Sequence, residues 1–127
     1  MAKFKIAQKP TFKAKVSIPR VGGPADEVEF EFLYLDRIAL SELFDKWNLA
    51  RDAHAEKVRA DGLSWAEATA EEITLQVNQI KDIVTGWAFD DTFNDESISA
   101  LVTTCVAAPQ AVLSAYQSAY QPARLGN

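Results

Sequence analysis

The chain has 127 residues, of which 48% are hydrophobic and 24% charged, a composition typical of a folded globular domain. Its net charge of −5 argues against a general nucleic-acid-binding protein, because phosphate binding normally requires a basic surface. A single cysteine cannot form an internal disulfide, and we find neither a signal peptide nor an apolar run of the roughly 20 residues that span a bilayer. We therefore expect one domain over residues 1–127, by default in the cytoplasm.

The N-terminal part predicts an arm followed by two strands. Residues 1–10 alternate Lys and apolar residues only briefly, which predicts a weakly ordered arm. Apolar residues occupy every second position of Thr11–Ile18 and again of Glu27–Leu35, which is the period of a strand. The glycines and proline within Pro19–Asp26 predict the turn between them. Residues 11–35 are therefore predicted to form a β-hairpin.

Pairing these two strands in antiparallel order gives the hairpin one polar and one apolar face. On the polar face it sets Lys13 and Lys15 against Glu29 and Glu31. Because a two-stranded hairpin is only marginally stable alone, its apolar face needs a covering layer. The predicted fold class is α+β, with an N-terminal antiparallel β-hairpin packed on a mainly helical domain of about four helices.

Residues 40–122 predict those helices. The first runs from Leu40 to Arg59 and ends at Gly62, a residue type common just after a helix. Ser64 and Glu67 have the spacing of a capping box and predict the start of the second helix. The core face of the second helix is predicted to hold Ile73, Val77, Ile80, Val84 and Trp87.

Two shorter helices follow. The second helix is predicted to end near Gly86, and Asn94 or Asp95 to cap the third. Pro109 fits the first turn of a fourth helix, which Pro122 would stop. The third helix carries Ile98, Leu101, Val102 and Cys105 on one face, and the fourth carries Val112, Leu113, Tyr116 and Tyr120.

The residue types that usually carry chemistry are few. Cys105 lies on an apolar helix face with no histidine near it in sequence, which favours an inert buried thiol. His54, the only histidine, has no ligand partner at metal spacing and is interpreted as half-buried. Gly22-Gly23 is not followed by the Lys-Ser/Thr of a phosphate loop. Capping and solvation explain the acidic cluster, which lacks the spacing of a calcium loop: Asp90, Asp91, Asn94, Asp95 and Glu96. We predict no catalytic residue, no cofactor and no metal.

The large apolar side chains favour binding to other proteins. Tyr116 and Tyr120 have apolar bodies with polar tips and fit a core or an interface equally well. Leu33 and Leu35 fall on the nominally outer face of the second strand. With Arg124 near the C-terminus, these four residues are the predicted partner-binding set.

The C-terminal half resembles the tail assembly chaperones of long-tailed bacteriophages. An N-terminal hairpin followed by the helix entry Arg37–Ser41 is similar to the same family. The residues that carry the resemblance are Asp82–Trp87, Phe93, Ser97–Val106, Pro109–Ala111, the repeated Ala-Tyr at Ala115-Tyr116 and Ala119-Tyr120, and the ending Ala123–Asn127.

This resemblance implies a non-enzymatic role in the cytoplasm of a bacterial host. Such chaperones coat the long tape-measure protein and help recruit tail-tube subunits, so both proteins are expected partners. Neither a membrane nor nucleic acid is expected as a partner, and homo-oligomerisation is left open. The alternatives are a small nucleic-acid-binding module that uses the early lysines or another protein-adaptor module, and, less favoured, a small enzyme built from scattered carboxylates.

The family also suggests a test in the gene. Several long-tailed phages, and by extension their prophages, make the chaperone in a short form and, by programmed frameshifting, as a longer fusion. Leu125-Gly126-Asn127 can be encoded as CUG GGA AAC, which contains the slippery heptamer G GGA AAC. The expected site lies at these codons, and synonymous codons could abolish it.

Overall fold

The computed structural model describes residues 4–121. Within this range three strands and four helices confirm the α+β class. Residues 4–10 precede the first strand without helix or strand, and their side chains are exposed. The elements in chain order are β1 (Thr11–Arg20), β2 (Gly23–Leu33), α1 (Arg37–Asp61), α2 (Trp65–Ile83), β3 (Val84–Trp87), α3 (Asp95–Thr104) and α4 (Ala108–Tyr120).

The predicted antiparallel hairpin is confirmed together with its register. Lys13 lies opposite Glu31 and Lys15 opposite Glu29 on the polar face. No ion pair joins these side chains within the described part of the chain. The alternation therefore sets which residues face each other without forming fixed salt bridges.

The turn of the hairpin is shorter than predicted. The strands continue through most of the expected Pro19–Asp26 turn and leave only Val21 and Gly22 between them. Gly22 has a φ of 77°, a left-handed conformation that glycine adopts without strain. A register shift after Ile18 leaves Pro19 without a ladder partner, so a proline is tolerated there. The structure also ends β2 at Leu33, two residues earlier than predicted.

Helix α1 begins three residues before the predicted Leu40. The carboxylate of Asp36 accepts a hydrogen bond from the Ala39 N–H (2.9 Å), which caps the helix N-terminus. At the other end Gly62 takes the left-handed conformation that the sequence predicted. Only Trp47 is buried along the whole helix, because α1 packs mainly on α2 and most of its surface faces solvent.

The predicted end of the second helix is wrong. Helix α2 starts at the predicted Ser64–Glu67 capping box but ends at Ile83. Val84 and Trp87, expected on its core face, instead belong to β3, which pairs with β2 through Phe30–Trp87 and Phe32–Val84. The β-branched Val-Thr pair and the free edge of β2 favour a strand here. The hairpin thereby becomes a three-stranded sheet in the order β1-β2-β3.

The last two helices begin where the sequence predicted. Asn94 caps α3 by accepting from the Ser97 N–H (2.9 Å), and Pro109 stands in the first turn of α4. Helix α4 ends at Tyr120, and Pro122, the predicted stop, lies outside the described residues.

The core lies between the apolar face of the sheet and helices α2, α3 and α4. Burial of these side chains supplies the main driving force for folding. In contrast, Trp65 at the tip of the α1–α2 hairpin is 91% exposed. The largest side chains with almost no exposure are Tyr116, Phe30, Phe32, Ile18, Ile80, Ile83 and Ile98.

Candidate partner-binding site

Tyr116 is buried against the apolar face of the sheet. Its ring stacks on Phe12, with centroids 5.9 Å apart, and tilts against Phe32 at 5.3 Å. Its hydroxyl donates a hydrogen bond to the Leu33 carbonyl at 2.9 Å. Burial raises the pKa of this hydroxyl above its ordinary value. Tyr116 is thus a neutral, fully enclosed side chain in the isolated protein.

Tyr120 lies one helical turn later on the same face of α4 and is half-buried. Its hydroxyl accepts a hydrogen bond from the Leu35 N–H at 3.0 Å and lies 3.0 Å from the Tyr116 hydroxyl. Since Tyr116 gives its only proton to Leu33, Tyr120 must be the donor between the two tyrosines. The three hydrogen bonds form a series that runs from the Leu35 N–H through the Tyr120 and Tyr116 hydroxyls to the Leu33 carbonyl.

These hydroxyls occupy the place of a missing strand. Alternate residues of β2 direct their backbone groups toward β3, as the Ala88 N–H to Glu29 carbonyl bond (2.9 Å) shows. Because β3 pairs no further along β2 than Phe32, Leu33 and Leu35 have no strand partner on that side. The tyrosines supply the hydrogen bonds that a longer β3 would have provided, which explains why α4 ends beside β2.

The side chains of Tyr116 and Tyr120 therefore meet the backbone of Leu33 and Leu35 at one corner. We call these four of the five predicted partner-binding residues the tyrosine corner. The two leucines and Tyr120 are half-buried and retain accessible surface, whereas Tyr116 has none. The fifth residue, Arg124, lies outside the described residues. The i, i+4 spacing of the tyrosines predicted a shared face, but no sequence signal identified their backbone partners.

An open groove of about 940 Å³ adjoins this corner. Its lining includes residues 7–9, the charged Lys13 and Glu31, and the rings of Phe12, Tyr34 and Tyr120. Tyr34 stacks on Tyr120 at a centroid distance of 5.8 Å, so the aromatic rings form a continuous wall. A second groove of about 490 Å³ shares Ala119 with the first and continues along β1 beside α4.

The cysteine is the remaining candidate for chemistry. Cys105 directly follows α3 and is buried, and its Sγ accepts a hydrogen bond from Arg20 Nη1 at 3.2 Å. Arg20 also pairs with Asp26 (2.7 Å), and this hydrogen bond is the main cause that raises the pKa of the guanidinium. The sequence did not indicate Arg20, because the link depends on how far β1 extends. No general base contacts the thiol among residues 4–121, so this cluster lacks an activated nucleophile.

Other polar groups serve local structure. Asp82 binds both Lys46 Nζ (3.1 Å) and Trp47 Nε1 (2.8 Å), which fastens α1 to the end of α2. His54 is half-buried, as predicted, and its Nδ1 has no partner within the described range. No group of His, Cys, Asp or Glu residues that could hold a metal ion occurs between residues 4 and 121.

By length and apolarity, none of the four helices described could cross a membrane alone. Helices α3 and α4 reach the required length together, but they meet at a bend of 108°.

The described residues define an α+β protein whose candidate residues pack at one corner of the sheet beside an open groove. The family is shown by its model, described as a phage tail assembly chaperone, which matches residues 1–127. The chain therefore belongs to the phage tail assembly chaperone family, and membership implies a non-enzymatic role. Neither a comparison with curated proteins nor one with solved structures gave a match.

Proposed function

We propose that this chaperone binds the tape-measure protein of its phage and helps recruit tail-tube subunits during virion tail assembly, without catalysing a reaction. The observation that carries this proposal is the family match over residues 1–127. The contacts agree with it, because the polar groups of the tyrosine corner are occupied by backbone hydrogen bonds and its apolar surfaces remain for docking.

The tyrosine corner is the proposed docking site. Leu33, Leu35 and Tyr120 would contact the tape-measure protein through their accessible apolar surface, with Tyr120 as the anchor, since tyrosine is enriched among the residues that dominate binding energy. Tyr116 would act from beneath by holding Tyr120 in place. Arg124 belongs to the proposed site on sequence grounds.

The same proposal places the protein in the cytoplasm of the bacterial host, encoded by a phage or a prophage. It includes a programmed frameshift site at the codons of Leu125-Gly126-Asn127. Reading the gene tests this directly, and a GGC or GGU codon for Gly126 would count heavily against the slip site.

The binding proposal is tested by co-expressing the chain with a fragment of the tape-measure protein encoded next to it. We expect the fragment to become soluble and to co-purify with the chaperone. A fragment that stays insoluble and unbound in the presence of the wild-type chain would overturn the proposal.

A matched pair of leucine variants tests the site. Leu35→Glu places a charge at the tyrosine corner and should reduce recovery of the fragment about tenfold, as expected for an interface anchor. Leu49→Glu makes the same change on the exposed side of α1 and should leave recovery unchanged. Thermal unfolding checks that both variants fold. If both lose recovery of the fragment equally, the tyrosine corner is not the docking site.

A further inference from the structure

The outer edge of β1 has backbone groups with no partner. In an antiparallel ladder, alternate residues direct their N–H and C=O groups to opposite sides of the strand. The Tyr34 N–H donates a hydrogen bond to the Pro10 carbonyl at 2.8 Å. In this register the even-numbered residues of β1 direct their backbone N–H and C=O groups toward β2. The backbone groups of Lys13, Lys15 and Ser17 therefore point away from the sheet.

Nothing in the described chain covers this edge. β1 is the first strand of the order β1-β2-β3, and no hydrogen bond reaches the outward groups of Lys13, Lys15 or Ser17 from any residue between 4 and 121. Such an edge is a template for another strand. Helix α4 lies beside it and leaves the open groove of about 490 Å³.

The walls of that groove allow a backbone to come close. A strand added to β1 would lie about 4.8 Å away in the hydrogen-bonding direction. Apart from Lys15, small side chains line this space and leave it open: Ala14, Ser17, Ala111, Ser114, Ala115, Ser118 and Ala119. The groove runs into the larger one beside the tyrosine corner through the shared Ala119.

The positive charge of Lys13 and Lys15 favours an acidic segment at the outer edge of β1. Lys13 and Lys15 are exposed on the polar face, and neither forms an ion pair within the described residues, although Glu31 and Glu29 lie opposite them on the inner side. A new strand would place its own side chains on the outer side of these lysines, where carboxylates would pair with them.

We propose that the free edge of β1 binds an extended segment of a partner protein as a fourth strand, and that this segment carries Asp or Glu at alternate positions facing Lys13 and Lys15. The inference rests on the proposed function, since it states the chemistry of the segment by which a tail protein is held. The intervening residues of the segment are small or aliphatic and lie over the groove beside α4.

A second copy of this chain is a poorer occupant of the edge. Antiparallel pairing of β1 with itself would bring the lysines at positions 13 and 15 of the two copies next to each other. Like charges on neighbouring strands are destabilising, and edge lysines commonly prevent such pairing. The same lysines attract a strand of opposite charge.

The test uses the full chain and a blocked eight-residue peptide in which Glu and Val alternate. We expect the peptide to bind and to slow hydrogen exchange of the Lys13, Lys15 and Ser17 amides, measured by NMR. The same peptide with N-methyl groups at alternate residues keeps its charge but cannot extend the ladder, and it should bind at least about tenfold more weakly. Equal binding of the two peptides, or protection at another place, would overturn the inference.

Two variants of the protein sharpen this test. Ser17→Pro removes one N–H that points away from the sheet and breaks no hydrogen bond between β1 and β2. The variant should therefore fold, and its affinity for the peptide should fall about tenfold. The double variant Lys13→Glu, Lys15→Glu should lose a similar factor, whereas Lys57→Glu with Arg59→Glu on α1 makes the same charge change and should not. Dimerisation through β1 in sedimentation experiments, or nucleic acid competing for the lysines, would count against the inference.

Comparing binding of the peptide with binding of the tape-measure fragment distinguishes this inference from the proposed function. If the wild-type chain adds the peptide to β1 but does not bind the tape-measure fragment, the proposed function fails and the edge inference stands. If Ser17→Pro abolishes peptide binding while capture of the tape-measure and tail-tube proteins is unchanged, the edge inference fails and the proposed function stands.

Discussion

Two regions of this protein are held together in opposite ways. The sheet and α4 share buried aromatic contacts between residues far apart in sequence, such as Phe32 with Tyr116. The outer part of the α1–α2 hairpin, from Leu49 to Trp65, projects away from this core, and both of those side chains are largely exposed. Tertiary packing therefore stabilises the first region, whereas local interactions hold the second.

The local interactions of the hairpin tip can be identified one by one. Gly62 closes α1, the capping box of Ser64 and Glu67 opens α2, and Lys57 pairs with Glu71 at 3.1 Å between the helices. Each of these is worth about 1 kcal/mol or less in exposed positions. The tip should thus open on its own without unfolding the sheet.

The largest expected difference between the regions comes from truncating an apolar side chain in each. Phe30→Ala should lower the free energy of unfolding by about 3–5 kcal/mol, because the ring packs against Phe32, Trp87 and Phe89 and leaves a cavity. Val58→Ala, in the half-buried seam of the hairpin, should cost only about 1 kcal/mol. Urea denaturation measures both, and similar costs would refute the contrast.

A smaller effect tests the hydroxyl chain of the tyrosine corner. Tyr116→Phe leaves the Leu33 carbonyl without its donor and should cost about 1–3 kcal/mol. Tyr34→Phe is the matched control, since the Tyr34 hydroxyl has no hydrogen bond to any residue in the range 4–121, and it should change stability by less than about 0.5 kcal/mol. Equal effects would show that the hydroxyl bond contributes nothing.

A cap variant tests whether the tip opens separately. Ser64→Ala removes the acceptor for the Glu67 N–H and should cost about 1 kcal/mol. Hydrogen exchange should accelerate in the first turn of α2 and stay unchanged in β1 and β2. Ser64→Asp retains a capping oxygen and should restore protection, and faster exchange in the sheet would mean that the two regions unfold together.

The smallest expected effect is a pH dependence confined to the tip. The hydrogen bond from the Ser64 backbone N–H, and then that with its side chain, lowers the pKa of Glu67 below its ordinary value of 4.5. A lowered folded-state pKa stabilises the fold above the ordinary value, and this contribution is lost as the pH falls through the folded-state pKa. Glu67→Gln should remove that dependence, as measured by exchange in α2 between pH 3 and 6 (roughly the carboxylate range). An unchanged pH profile would contradict it.

The parts of the fold that could be predicted are those that local patterns decide. Period-2 alternation was enough for the register that pairs Lys15 with Glu29. Capping residues such as Ser64 and Asn94 marked helix starts correctly, since a cap depends only on residues within one turn.

Strand β3 could not be predicted because its residues continue the helical pattern of α2. Val84 and Trp87 follow Ile80 at spacings of four and three, as a helix face would. What changes the outcome is the free edge of β2, some 50 residues earlier in the chain, with which this segment pairs. The structure of this segment is therefore decided by pairing with the distant strand β2 and not by its own helical period.

The candidate site was predictable in membership but not in arrangement. The sequence placed Tyr116 and Tyr120 on one face of α4 and marked Leu33 and Leu35 on β2. It did not indicate that one tyrosine would be fully buried or that both would bind backbone groups, because that depends on where β3 stops.

Because Trp65 is exposed and the other two tryptophans are not, the fluorescence of each tryptophan reports on a different region of the protein. Trp47 is enclosed at the base of the hairpin, Trp87 sits among aromatic rings with its indole N–H on the Asp91 carbonyl, and Trp65 is immersed in solvent. Quenchers such as acrylamide should therefore reach Trp65 first. Emission from variants that keep only one indole would follow the base, the sheet and the tip separately while a client binds.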